Sequence, residues 1–456
     1  MFRVVLWILL FALAMPAAMA GAVHQYRLDN GLKVVVKEDH RAPVVVSQVW
    51  YKVGSSYEHS GITGISHVLE HMMFQGTRKH PAGDFSRIIA ENGGTENAFT
   101  SRDYTAYFQM LARSRLPVSF RLEADRMRNL LLKKKEFDKE VHVVMEERRM
   151  RTDDNPEALT AERFDAVAYA NSGYHIPVIG WMNDLKHLTV ADLKAWYHRF
   201  YAPNNATLVV VGDVDPAHVY ALAKRYFGPL KPSKVQPPKP RQEVDQKGIR
   251  RIVINVPAET PYVLMGYHVP VLRTAKDPQD AYALEVLSAI LDAGDSARLA
   301  RNLVRGSEVA ASADAGYNLY ARQDSLLMLD GVPASDHNAD QLERALRGQI
   351  ADLRDKPVSA AELERVKTQL VAEKTYHQDS QFYQGMQIGT VESVGLNLSV
   401  LDQYIPRIRA VTAKQVQDVA RRYLIEKHLT VAVLKPLPMK DGHRPRPRPL
   451  GGEHVR

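Results

Sequence analysis
The segment Gly64-Ile65-Ser66-His67-Val68-Leu69-Glu70-His71-Met72-Met73-Phe74 holds the residues best suited to chemistry. On a helix, side chains four apart stand one turn above one another. His67 and His71 can therefore present two imidazole nitrogens to a single metal ion. Glu70 follows His67 by three residues, shares that face and can reach a water on the metal. The pattern is His-x-x-Glu-His, the inverse of the His-Glu-x-x-His zinc arrangement. Histidines on a solvated helix face would produce the same five residues, so the surroundings decide. Val68, Leu69, Met72, Met73 and Phe74 make the rest of the helix apolar, which predicts that it is buried. A buried stripe of two histidines and a glutamate is costly unless those groups have partners. A divalent cation is such a partner, and a site with one open position needs a third protein ligand.

The chain has no cysteine, so that ligand is a histidine or a carboxylate. The segment Phe137-Asp138-Lys139-Glu140-Val141-His142-Val143-Val144-Met145-Glu146-Glu147-Arg148-Arg149 offers the best one. Val141, Val144 and Met145 form a helical apolar stripe. Glu140 and Glu147, seven apart, point the same way, because two turns make almost two full revolutions. His142 and Glu146 point elsewhere and read as surface residues. Periodicity does not say whether this helix lies beside the first.

With these motifs the chain resembles the insulinase/pitrilysin family of zinc metallopeptidases. It is closest in pattern to the short two-domain branch that includes mitochondrial processing peptidase and its bacterial relatives. The likeness rests on His67 to His71 and on the Glu-x6-Glu pair, with 75 residues between His71 and Glu147. It extends to Gly93-Gly94-Thr95-Glu96-Asn97-Ala98-Phe99-Thr100 and to Tyr201-Ala202-Pro203-Asn204-Asn205, and spans nearly all of the chain after residue 20. The resemblance implies Zn2+ as cofactor, with His67, His71 and Glu147 as ligands and Glu70 as general base toward a metal-activated water. Glu140 would orient one of the ligands from behind. Asn97, Ala98 and Phe99 would lie on an edge strand that pairs with an extended peptide; without the family, Gly93-Gly94 reads as a turn and Asn97 as its cap. The implied activity is that of an endopeptidase on extended peptides or small unfolded proteins. A non-catalytic peptide-binding or assembly subunit of the same fold is the alternative.

The chain departs from the family in one respect. Active members supply an Arg and a Tyr, seven apart, after a Ser-Arg-Leu segment whose counterpart is Ala297-Arg298-Leu299. That register puts Val304 and Ala311 at the two positions, and Arg301, Arg305 and Tyr317 have the wrong spacing. The expectation is a heterodimer in which a related, zinc-less subunit supplies the pair; a homodimer and a lone active chain are the alternatives.

The elements that must hold these groups belong to a chain of 456 residues, too long for one core. A content of 45% hydrophobic and 25% charged residues is that of a globular protein and excludes general disorder and multiple membrane spans. Residues 1–20 carry Arg3, an apolar run from Val4 to Met15 and Ala18-Met19-Ala20. They read as a signal peptide for export to a bacterial periplasm, leaving no stable membrane span after cleavage. Five prolines between 229 and 250 mark a linker between a zinc-binding domain at 21–228 and a related domain without metal at 251–436. The tail 437–456 is basic, rich in Pro and Arg, and expected to be disordered. Strands are expected at 32–37, 44–53 and 207–211, and again at 252–256, 262–268 and 324–330. Helices are expected at 62–75, 84–92, 114–130, 134–151 and 190–201, then at 281–291, 338–354, 359–376 and 412–424. Similar order and size in both halves predict an α+β protein of two related domains, each a mainly antiparallel sheet packed with helices. The net charge of +8 is concentrated partly in the linker and the tail, and no nucleic-acid motif accompanies it.

Overall fold
A computed structural model describes residues 21–236, 239 and 241–439. Residues 1–20, the tail from 440, and Pro237, Pro238 and Pro240 of the expected linker lie outside the described residues.

Two sheets organise the chain. The first contains β1 (Val23–Arg27), β2 (Lys33–Glu38), β3 (Val44–Tyr51), β4 (Thr95–Thr100), β5 (Thr105–Ala112) and β6 (Ala206–Gly212), in the order β1-β2-β6-β3-β5-β4. The second contains β7 (Arg250–Pro257), β8 (Tyr262–Val269), β9 (Ala310–Gly316), β10 (Ser325–Pro333) and β11 (Leu429–Leu437), in the order β7-β11-β8-β10-β9. Without β1 the two orders match position by position. In both, one strand pair is parallel, β2 with β6 and β7 with β11, and the remaining pairs are antiparallel. The expected pair of related domains is thus present as a repeated topology.

Helices α1 (Ile65–Met72), α2 (Asp84–Glu91), α3 (Leu116–Asn129), α4 (Lys134–Arg148), α5 (Pro156–Ala168), α6 (Met182–His187), α7 (Val190–Phe200) and α8 (Pro216–Tyr226) belong to the first half. The second half has α9 (Pro278–Leu291), α10 (Ala339–Asp355), α11 (Ala360–His377), α12 (Gln381–Ser393), α13 (Ser399–Ala410) and α14 (Ala413–Tyr423). The first helix is shorter than the expected 62–75. Gly61 and Gly64 adopt positive φ, and the helix starts only after the second of them.

The strand sequences explain their burial. Val34, Val36, Val49, Leu208 and Val210 enter a core with α1, α3, α4 and α7. Val35, Trp50, Val209 and Val211 point to the opposite face and meet Met386, Ile388 and Val391 of α12. Such strands are buried on both faces and read as unbroken apolar runs. The cover is exchanged: α12, from the second half, packs on β6 and β3, while α5, from the first half, packs on β11, β7 and β8. Phe164 and Ala168 of α5 share a core with Leu264, Ala432 and Leu434. The described part of 229–250 is docked onto the first half, since the Glu243 carboxylate accepts the N–H groups of Ala170, Asn171 and Ser172 at 2.9–3.0 Å.

Candidate metal centre
Gly64 caps the start of α1 with a φ of +85° that suits glycine, and a Cβ there would meet Ile179 O at 2.7 Å. Fully buried Glu58 accepts the N–H groups of Gly64 (2.7 Å) and Ser66 (2.9 Å), so its two oxygens fix the helix start, although burial pushes this carboxyl up to about 8. Val68, Leu69 and Met72 then share one core with Val141, Val144 and Met145, and this contact lays α4 against α1.

Packing therefore brings the two sequence motifs together. His67, His71 and Glu147 each offer a donor atom within 4.8 Å of the others, a group able to hold a metal ion. Glu147 Oε2 lies 3.4 Å from His71 Nε2 and 3.8 Å from His67 Nε2. Ligands at the usual zinc distances, in tetrahedral array, would stand about 3.3 Å apart. Two imidazoles and one carboxylate at these separations fit zinc with one position open. Burial pushes the Glu147 carboxyl up, but His71, His67 and Arg151 outweigh it and hold the group down at about 2, so it is an anion ready to bind a cation. Beyond Glu147, α4 passes into a single π-helical turn, Arg149–Asp153. Buried Arg148 anchors that end to Glu162 of α5 (2.6 Å) and to the Gly180 carbonyl (2.8 Å).

Glu140 stands behind His71, with Oε2 3.2 Å from Nδ1, while its Oε1 accepts from Gln75 Nε2 at 3.0 Å. Glu70 is buried on the same helix as the histidines, and its Oε2 accepts the Thr100 hydroxyl at 2.6 Å. Gln75 has no signal in the sequence, and Thr100 belongs to the Gly93–Thr100 stretch without a role of its own, because a Thr or Gln that matters only through its partner leaves no spacing pattern. Thr100 closes β4, an edge strand of its sheet, which also carries Asn97, Ala98 and Phe99. The Ala98 N–H is engaged by the Asn97 side-chain oxygen at 2.8 Å, whereas Phe99 turns into the core against Trp50. His142 and Glu146 lie on the exposed side of α4.

The second half has no counterpart of this site among the described residues. Val304 ends a π-helical turn (Ala300–Val304) and Ala311 lies in β9, an edge strand of the second sheet. Among the described residues no helix is long and apolar enough to cross a membrane.

The chain matches the family model described as Insulinase (Peptidase family M16) over residues 33–180, and the one described as Peptidase M16 inactive domain over residues 187–370. It is 35% identical over 344 residues to the zinc protease PqqE of Helicobacter pylori, covering 75% of this chain and 76% of that protein. It is 24% identical to an uncharacterized zinc protease, YmxG, of Bacillus subtilis, covering 91% and 98%. Among solved structures, a protease from Helicobacter pylori superposes with a TM-score of 0.87 at 31% identity, covering 91% of this chain and all of that one. The repeated sheet topology, the site at α1 and α4 and these likenesses together make the chain a member of the insulinase family of zinc proteases.

Proposed function
We propose that the chain is a zinc-dependent endopeptidase acting on extended peptides or small unfolded proteins. The observation that carries this reading is the convergence of His67, His71 and Glu147 donors within 4.8 Å, with Glu70 buried on the same helix. His67, His71 and Glu147 would hold the cation, and Glu140 would keep His71 oriented through Nδ1. Bound there, zinc supplies Lewis acidity, drawing the pKa of water toward neutrality and polarising the scissile carbonyl. Glu70 takes the proton of the attacking water and returns it to the leaving amine. Thr100 fixes the carboxylate oxygen of Glu70 that it bonds. The edge of β4, with Asn97, Ala98 and Phe99, pairs with the peptide backbone, which reads few side chains and so permits broad specificity.

The apolar side chains Val304 and Ala311 support the further reading that a related, zinc-less subunit completes the site with an Arg and a Tyr. The same absence favours the second reading, a non-catalytic peptide-binding or assembly subunit; the complete donor set weighs against it. Residues 1–20 support export to the periplasm. Units at 21–228 and 251–436, joined through 229–250, remain the proposed division of the chain. Glu70→Gln is the test of the site: metal content should equal that of the wild type while peptide hydrolysis disappears. Full hydrolysis by that variant refutes the assignment. Cleavage at full rate by the purified chain alone refutes the need for a partner.

A further inference from the structure
A second cavity, of about 660 Å³, shares no residue with the metal centre. It lies where α9, α11 and α13 meet α12, and Tyr104 of the first half closes one side. Two opposite charges line it from different helices, and Glu373 and His377 of α11 line it as well. Glu285 enters from α9, and its Oε1 accepts the Tyr404 hydroxyl at 3.3 Å. Lys374 enters from α11, is 7% exposed, and donates to the neutral Gln387 side chain at 2.7 Å with its Nζ 5.0 Å from the Tyr404 ring centre. No ion pair within 4.0 Å joins the two among the described residues; each bonds a neutral group and feels the other only over a longer distance. Burial pushes the Glu285 carboxyl up to about 7 and the Lys374 amine down to about 8, and the attraction between the two offsets these shifts only in part. The Tyr320 hydroxyl, on the same wall, is buried without a hydrogen-bond partner among the described residues.

A molecule that carries both missing charges would satisfy both poles at once. We propose that this cavity binds a short zwitterionic peptide, two or three residues long with free termini, its ammonium on Glu285 and its carboxylate on Lys374. The volume lies within the roughly 300–1,000 Å³ of small-molecule sites. The rings of Tyr320, Phe382 and Tyr383 offer a wall for an aromatic side chain. Tyr104, Asn318 and Tyr320 also line a smaller cavity, of about 280 Å³, that reaches Phe99 and Thr100 at the end of β4. The peptide site therefore adjoins the edge strand without belonging to the metal centre.

Calorimetric titration of the full-length Glu70→Gln variant with Ala-Phe-Ala tests the proposal. Binding in that variant needs no hydrolysis, so its outcome is independent of whether the chain is a peptidase. The same tripeptide with an acetylated N-terminus, with an amidated C-terminus and with both, plus free phenylalanine, complete the series. The free tripeptide should bind, and each cap should weaken it at least tenfold. Adding Glu285→Gln should remove the penalty of acetylation, and Lys374→Met that of amidation. Each penalty is a ratio measured on one protein, so partial loss of folded material does not imitate it, and either variant alone decides its own pole. Equal affinity for free and doubly capped tripeptides, penalties that persist in both variants, or binding of phenylalanine but of no tripeptide would overturn the proposal.

Discussion

Glu140 is the side chain whose replacement speaks most directly to how the metal site is built. His71 is gripped at both ring nitrogens, with Nε2 3.4 Å from Glu147 Oε2 and Nδ1 3.2 Å from Glu140 Oε2. For Nε2 to give its lone pair to a cation, Nδ1 must carry the proton, and the Glu140 carboxylate is there to accept it. Glu140→Gln leaves a neutral oxygen in that place. A charge-assisted hydrogen bond is roughly twice as strong as a neutral one, so the loss is about 1–1.5 kcal/mol, or about tenfold in metal affinity. Glu140→Ala removes the acceptor and also strips Gln75 of its partner at 3.0 Å. The loss then approaches about 3 kcal/mol, or about a hundredfold. Competition for zinc against a chromogenic chelator, at fixed pH and with circular dichroism as the check on folding, measures both. The reasoning is refuted if both variants bind zinc within twofold of the wild type, or if Gln75→Ala weakens binding as much as Glu140→Ala.

Glu58→Ala leaves two buried N–H groups at the start of α1 without an acceptor, and should cost about 2–5 kcal/mol in urea unfolding; Glu58→Gln, which keeps an oxygen, should lose clearly less. Gly389→Ala would raise intrinsic helix propensity by about 1 kcal/mol, yet its Cβ would run into the Trp50 indole. It should therefore destabilise by at least about 3 kcal/mol, and a stabilised protein would contradict the packing of α12 on the first sheet. The hydrogen bond from Arg41 holds the buried Asp39 carboxyl below its usual range. A depressed carboxyl contributes stability that is present above the unfolded value, about 3.9, and lost as pH falls through the folded one. Asp39→Asn should accordingly flatten the fall of unfolding free energy below about pH 4, and an unchanged slope there would remove Asp39 from the acid response.

Much of the architecture could be read along the chain because strands and amphipathic helices announce themselves through period. The runs at 32–37, 44–53 and 207–211 appear as β2, β3 and β6, and the expected helix at 134–151 appears as α4 with its π turn. Elements whose character comes from their neighbours were missed. β5 is an apolar run too ambiguous to assign by period. α12 carries Gly385 and Gly389, poor helix residues that are tolerated because Gln48 and Trp50 press against them.

By itself the sequence determined the chemistry available: two histidines and a glutamate on one helical face, a Glu-x6-Glu pair on another, no cysteine, and two halves of similar pattern. Local periodicity fixes which face of an element is buried, and that much is encoded residue by residue. It does not fix what the face is buried against, because that depends on contacts between residues far apart in the chain. Tertiary structure alone decided that α4 lies on α1 and brings Glu147 to His67 and His71. It decided that Thr100 holds Glu70, and that α5 and α12 cross over to cover each other's sheets. It also left Glu285 and Lys374 facing one cavity with no direct bond between them.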